Sequence, residues 1–426
     1  MAAPSNWHPI LTGLEAARAA AVIDSVAGAL AEWAAFPEDD PYGASLATGE
    51  AGLGLFFSYL ERARPEAGHS GLADERLERA IDRLASSFHR PGLYQGYLSI
   101  AWTVEHLRDR EDEDDPNEEI DQALFEKLAT TPWIEGYDLT SGLVGLGAYA
   151  LERWPGSRVV ACLDRICQRL EELAVPQEVG LAWPTAPWLM RPDQREAFPN
   201  GMFNLGVAHG MPGLLPVLAQ AEAVGAESAG RLLSGSLEWI FSQKLPDGGE
   251  VVFPYAWGPG VDPQPARAGW CYGDPGIAAA LWVAARATGD AGLEAEALRI
   301  ARTAARRPAE NGGVLDAGLC HGAAGLGHIF NRLYQATGDP ELLAAARAWM
   351  ERTLRFWKPG RGVGGFVAWG PDSTGALDWR DDPTLLTGAA GVALALLAAT
   401  TSIEPAWDRF LLISPAVTAT RGAASP

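Results

Sequence analysis

The sequence predicts an all-α protein, an α/α toroid with seven inner and seven outer helices and with loop and short-strand insertions over one mouth. Three observations lead there. A Gly-x-x-Gly motif followed by an apolar run recurs at Gly49/Gly52, Gly142/Gly145, Gly210/Gly213, Gly273/Gly276, Gly322/Gly325 and Gly388/Gly391. A degenerate copy, Gly96 followed by Tyr97-Leu98-Ser99, brings the units to seven. The last unit is as apolar as the internal ones, whereas an open array of repeats needs a polar-faced terminal cap, so a closed ring is the better solution.

Each unit reads as a helical hairpin. The first segment, such as Ile277 to Ala287 or Leu326 to Ala336, is apolar nearly all round, the mark of a buried helix. Both segments end in Ala-Thr-Gly-Asp, and a second helix follows. Asp290 and Asp339 suit an N-cap, and Pro340 suits the first helical position. The second segments, Ala291 to Arg307 and Glu341 to Leu354, carry charge on one face and are amphipathic. Glycines at the inner helix starts let backbones approach closely and turn free N–H groups toward a central cavity. A single domain over residues 1–413 is expected, with insertions near 175–204, 245–269 and 356–383. Glu250 to Pro254 reads as a strand, Asp109 to Glu119 as a solvated acidic loop, and 414–426 as a disordered tail.

Composition narrows the function. The formal net charge of -21 argues against nucleic acid and anionic membranes as partners, since both require basic surface. Met1 to Ile10 carries no signal-peptide pattern. No apolar run approaches the roughly 20 residues of a membrane span. A cytoplasmic protein is expected, associated with a membrane only through a larger complex. Four cysteines in 426 residues do not make a disulfide scaffold.

The chemistry-bearing residues share repeat positions. Cys271 and Cys320 each lie two residues before the first glycine of a motif. His209 and His321 each lie one before it, and Asp138 lies four before Gly142. In a ring of parallel inner helices, equivalent positions meet at one mouth. Cys271, Cys320 and His321 form a set suited to zinc, with two thiolates and one imidazole leaving one tetrahedral position open, as in catalytic sites. The remaining candidates read as structural or surface residues: Cys162 and Cys167 as core on a helix from Val159 to Leu173, His328 as a packing or lining residue, and His8, His69, His89 and His106 as surface or structural. Trp183, Trp188 and Trp257 are candidates for a peptide groove.

Two strings, Trp270-Cys271-Tyr272-Gly273-Asp274-Pro275-Gly276 and Cys320-His321-Gly322, together with Ala208-His209-Gly210, resemble the LanC-type lanthipeptide cyclase family over nearly the whole chain. The resemblance implies a ring of seven inner and seven outer helices. It implies one zinc ion on Cys271, Cys320 and His321, and catalytic roles for His209, Asp138 and Arg267. Tyr272 and Asp274 are candidates to orient the metal ligands. The implied reaction adds peptide cysteine thiols to dehydroalanine or dehydrobutyrine. It makes thioether rings in a dehydrated precursor peptide, leader plus core. The length leaves no room for a dehydratase module, so a separate dehydratase and an exporter are implied partners. Other readings are a related enzyme adding glutathione to dehydroamino acids, a protein prenyltransferase β-like zinc enzyme, and a non-catalytic zinc scaffold for peptides. A glycosidase is disfavoured because no matched pair of cavity carboxylates is found.

Overall fold

The computed structural model describes residues 7–69, 71–85, 90–108, 114–371 and 376–416. His89 and residues 109–113 of the acidic run lie outside the described residues, as does 417–426 of the expected tail.

Every glycine motif opens a helix. The inner helices are α2 (Glu50–Ala63), α4 (Tyr97–Leu107), α6 (Leu143–Glu152), α9 (Leu214–Ala223), α11 (Asp274–Thr288), α13 (Ala323–Thr337) and α15 (Ala389–Thr400). Each packs against the next in chain order, and α15 returns to α2, so among the described residues these seven close a ring. Around them lie α1 (Gly13–Ala31), α3 (Leu72–Ala85), α5 (Glu118–Leu128), α7 (Val159–Leu173), α10 (Ala229–Ser242), α12 (Ala291–Arg306) and α14 (Pro340–Phe356). These run amphipathic, with Cys162 and Cys167 of α7 buried against the inner layer. The protein is therefore an all-α double ring. Asp290 caps α12 and Asp339 caps α14, with Pro340 at its first position.

The glycines have a steric cause. The loop before each inner helix folds back over the helix start. The second glycine of a motif then faces the carbonyl of the residue six before it. A Cβ on Gly325 would lie 1.9 Å from the Leu319 carbonyl oxygen, and one on Gly391 would lie 1.9 Å from that of Leu385. In the degenerate unit Ser99 takes this place and donates its hydroxyl to the Gly96 carbonyl at 2.6 Å.

These loops are joined edge to edge. Ala47 N–H donates to the Tyr94 carbonyl (3.1 Å) and Tyr94 N–H to that of Thr140 (3.1 Å). Leu139 N–H donates to Ala208 (3.2 Å), Cys271 to Cys320 (3.1 Å), Cys320 to Leu386 (2.9 Å) and Leu386 to Ala47 (3.0 Å). Nearly all of these residues lie two before a motif glycine. Between the Ala208 and Cys271 loops the backbones touch without such a bond: a Cβ on Gly206 would lie 2.4 Å from the Cys271 carbonyl oxygen.

The interior is filled from the C-terminal end. A 3-10 turn, Ala406–Leu411, buries Trp407 and Phe410 among the inner helices. The Tyr94 hydroxyl donates to the Phe410 carbonyl (2.9 Å) and the Trp270 indole N–H to that of Leu411 (2.8 Å). Buried Asp408 pairs with His328 (2.8 Å) and Arg332 (2.8 Å), so His328 is structural. His106 is likewise buried, bonded to Glu152 and Tyr59. The expected tail begins too early, because Ser414 and Ala416 are buried and Ser414 donates to Asp408.

The insertions carry three short antiparallel pairs: β1 (Val175–Pro176) with β2 (Leu181–Ala182), β3 (Phe203–Asn204) with β4 (Ala256–Trp257), and β5 (Ala368–Pro371) with β6 (Leu377–Arg380). A short helix, α8 (Pro192–Ala197), lies in the first insertion. The expected strand at Glu250 to Pro254 is not formed. The N–H groups of Val252 and Phe253 go instead to the buried Asp274 carboxylate, at 2.7 and 3.1 Å, leaving no donors there for a ladder. The acidic run also differs from a solvated loop: Glu118 opens α5, and Asp115 pairs with buried Arg153 at 2.5 Å.

Substituting Gly391→Ala forces a methyl group into the Leu385 carbonyl and is expected to destabilise the fold by about 3 kcal/mol. Gly28→Ala, in α1 with open space around it, is expected to stabilise by about 0.5–1 kcal/mol. Thermal melting of the two variants checks both signs.

Candidate metal centre and proton-transfer pair

The belt of loop bonds delivers the cysteines to each other. Cys271 N–H and Trp270 N–H both donate to the Cys320 carbonyl at 3.1 Å. The Cys271 loop turns sharply at Gly273, whose φ of 121° suits glycine and whose Cβ would lie 1.9 Å from the Arg267 carbonyl oxygen. Immediately after Gly273 and Gly322, α11 and α13 begin, so the N-terminal ends of two helix dipoles lie next to the thiols.

Ligand atoms of Cys271, Cys320 and His321 lie within 4.8 Å of one another. The Cys271 thiol is held well below the ordinary thiol range. The cause is first a hydrogen bond from the Cys320 thiol, then, against the opposing effect of burial, His321 and the Arg267 guanidinium. Cys320 is correspondingly pushed well above the ordinary range, because it holds the remaining proton against its neighbour and is buried. Arg267 Nη2 donates to Cys271 Sγ at 3.3 Å.

The donor set fits a soft divalent cation such as zinc. His321 Nε2 lies 3.4 Å from the Trp369 carbonyl and 3.9 Å from the Asp316 carboxylate. Its Nδ1 is buried with no hydrogen-bond partner. A buried nitrogen without a partner is costly unless something occupies its lone pair. Nδ1 is therefore the atom with which His321 would bind a metal.

Across the mouth, His209 Nδ1 bonds Asp138 Oδ2 at 2.8 Å. Asp138 also accepts from Ser141 N–H (2.9 Å), Gly142 N–H (3.0 Å) and the Thr140 hydroxyl (3.1 Å), which fixes it at the start of α6. Burial alone would raise its pKa; the His209 bond and these donors bring it below the usual carboxylate range. His209 is half exposed, at 50% of its side chain. Burial on its inner side lowers its pKa, but the Asp138 bond and charge, followed by the Cys271 thiolate, carry it above the usual imidazole value. His209 thus keeps a proton to higher pH than a free histidine, and its Nε2 is the nitrogen left for chemistry.

The two remaining site candidates have other partners. The Tyr272 hydroxyl accepts from Asn204 at 2.8 Å. Asp274 is buried and turned to the second insertion, where burial raises its pKa to about 6 against the two backbone donors. It anchors that insertion rather than orienting a metal ligand. Asp316 does stand beside His321, accepting Trp369 N–H at 2.9 Å and Gly318 N–H at 3.2 Å. Its signal in the sequence is positional: it lies six before Gly322, as Arg267 lies six before Gly273 and Asn204 six before Gly210. Of the tryptophans, Trp183 is core and bonds the Leu170 carbonyl, and Trp257 packs on Phe203, whereas Trp188 is exposed.

The structure thus defines a helical double ring that carries a Cys-Cys-His cluster and a histidine–aspartate pair. Residues 40–412 match the model of the lanthionine synthetase C-like protein family, and the chain belongs to that family. It is 25% identical over 325 residues to nisin biosynthesis protein NisC of Lactococcus lactis subsp. lactis, covering 68% of this chain and 74% of that protein. It is 29% identical over 158 residues to glutathione S-transferase LANCL1 of Danio rerio, 37% of this chain and 36% of that one. The solved structure of nisin cyclase superposes with a TM-score of 0.69 at 21% identity, over 91% of this chain and 96% of that one. Among the described residues no helix is long and apolar enough to cross a membrane.

The His209–Asp138 bond has a titration consequence. Removing the carboxylate charge in Asp138→Asn takes away the largest effect raising the His209 pKa, so the histidine is expected to lose its proton at lower pH. NMR titration of the imidazole resonances of wild type and variant reads this shift.

Proposed function

We propose that this protein is a zinc-dependent lanthipeptide cyclase, joining peptide cysteine thiols to dehydroalanine or dehydrobutyrine as lanthionine and methyllanthionine rings. The observation that carries the reading is the convergence of Cys271, Cys320 and the unpartnered Nδ1 of His321 at one mouth of the ring. Similarity to nisin biosynthesis protein NisC over most of the chain supports it.

Cys271 and Cys320 as thiolates and His321 through Nδ1 would hold one zinc ion and leave a fourth position for substrate sulfur. Zinc bound there would lower the pKa of an incoming thiol so that it reacts as thiolate near neutral pH. The thiol S–H adds across the C=C bond: sulfur bonds the β-carbon, a proton reaches the α-carbon, and nothing is released. His209 Nε2 delivers that proton. Asp138, held by Ser141, Gly142 and Thr140, keeps Nδ1 engaged and supports the charged imidazole. Arg267 offsets negative charge on Cys271 through its 3.3 Å contact. Precursor peptide would be the substrate, and a separate dehydratase the source of its unsaturated residues.

Purified protein is expected to carry one zinc per chain by elemental analysis, and Cys271→Ala or Cys320→Ala to lose it. A dehydrated precursor incubated with the protein should keep its mass while its thiols stop reacting with a maleimide; persistent labelling sinks the proposal. Glutathione addition would instead raise the mass. In His209→Ala, ring formation is expected to slow by at least about 100-fold with zinc retained.

A further inference from the structure

The metal cluster has an exposed apolar neighbour. In the β5–β6 hairpin Trp369 pairs with Trp379, and Pro371 with Leu377. Side chains of directly opposed residues lie on the same face of a strand pair, and so do those two apart along a strand. One face of the hairpin is therefore Trp369, Pro371, Leu377 and Trp379, and the two indoles meet edge to face with centroids 5.3 Å apart. Leu377 is 63% exposed and Trp379 41%. Leu315, the residue before Asp316, is 52% exposed.

This face begins at the candidate site. The Trp369 carbonyl is 3.4 Å from His321 Nε2, and its N–H is held by Asp316. Arg380 ties the far strand down through Asp382 (3.1 Å). A two-stranded hairpin is marginal alone in water, so these polar ties are what keep the apolar face in position. Exposing the Trp379 indole and a leucine costs free energy that polar residues would avoid. A contiguous exposed apolar face of this kind marks a surface that meets a partner.

We infer that the Trp369–Pro371–Leu377–Trp379 face is a docking surface for apolar side chains of the substrate peptide next to its reacting thiol. The inference rests on the cyclase reading for the identity of the occupant. Continuity with His321 argues for that occupant: a peptide whose sulfur reaches the Cys-Cys-His cluster must run past the hairpin within a few residues. Arg361 stands over Trp379 at 5.7 Å, so the face sits beside positive charge in an otherwise acidic protein. A peptide of apolar and acidic residues would fit it better than a basic one.

The test uses the full-length zinc-loaded protein and a fluorescein-labelled synthetic peptide. That probe has dehydroalanine flanked by leucine, phenylalanine and glutamate, with serine in place of cysteine so that it cannot react. Fluorescence anisotropy gives its Kd for wild type, Trp379→Ala and Leu377→Asp, with Leu14→Asp as an exposed control at the opposite end of the ring (90% exposed). Weakening of about 5- to 10-fold in each hairpin variant is expected, as for an aromatic anchor, with none in the control. Zinc content and melting temperature report that the variants are folded. Unchanged affinity in the hairpin variants, or no binding of the probe to wild type, overturns the inference. So does a wild-type dimer, seen by light scattering, that the variants dissociate, because the face would then be a self-association surface. Ring formation by wild type is read separately. Its absence alongside weakened binding would overturn the cyclase reading and leave a peptide-docking face.

Discussion

The belt of backbone hydrogen bonds between the loops at the inner helix starts is the constraint on which the rest of the molecule depends. It runs through residues two before the motif glycines, from Ala47 through Tyr94 and Thr140, and from Cys271 through Cys320 to Leu386 and back to Ala47. A backbone bond of this kind fixes the separation of two chains whatever side chains they carry. Cys271 and Cys320 are far apart in sequence, yet the belt makes them neighbours before any metal is considered. The motif glycines serve the same end, since the missing Cβ at the first glycine of every unit, and at the second in all but the Ser99 unit, lets the loop lie on its helix.

The belt lacks a bond at one step, between the loop bearing His209 and the loop bearing Cys271. The two halves of the candidate chemistry lie on either side of that step. The thiol cluster is buried, with helix N-termini and Arg267 supporting negative charge, while His209 is half exposed and tied to Asp138. In the proposed reaction this arrangement would keep the proton donor and the thiolate-holding cluster apart, so that they do not neutralise each other by direct contact. The histidines also divide by their surroundings. His106 and His328 are hydrogen-bonded to the buried carboxylates of Glu152 and Asp408, away from the thiols, while His321 stands with Cys271 and Cys320.

The interior and the mouth are built by opposite means. Beneath the belt, Trp407, Phe410, Trp270, Tyr94 and Trp102 fill the ring with stacked and edge-on aromatic contacts, and two side-chain bonds tie the C-terminal turn to the loops. Above it, the insertions are anchored by single buried carboxylates, Asp274 for residues 252 and 253 and Asp316 for β5. A mouth held by a few polar ties is the part of such a fold most free to be reshaped for a ligand.

Sequence by itself determined the ring, its seven units and the positions of the candidate site residues. A repeat of glycine spacing and apolar periodicity is a local property, and equivalent positions in a closed repeat must converge. Cys271, Cys320, His321, His209 and Asp138 were legible in this way, whereas Arg267 came only from the resemblance to the LanC-type strings. Tertiary structure decided which polar atoms meet. Asp274 faces the insertion and not the thiols, Asp316 stands beside His321, and Arg267 turns to Cys271 Sγ. It also decided that Glu250 to Pro254 forms no strand and that Ser414 is buried. These outcomes depend on side-chain direction and on competition for single N–H groups between segments distant in the chain, and no local pattern encodes either.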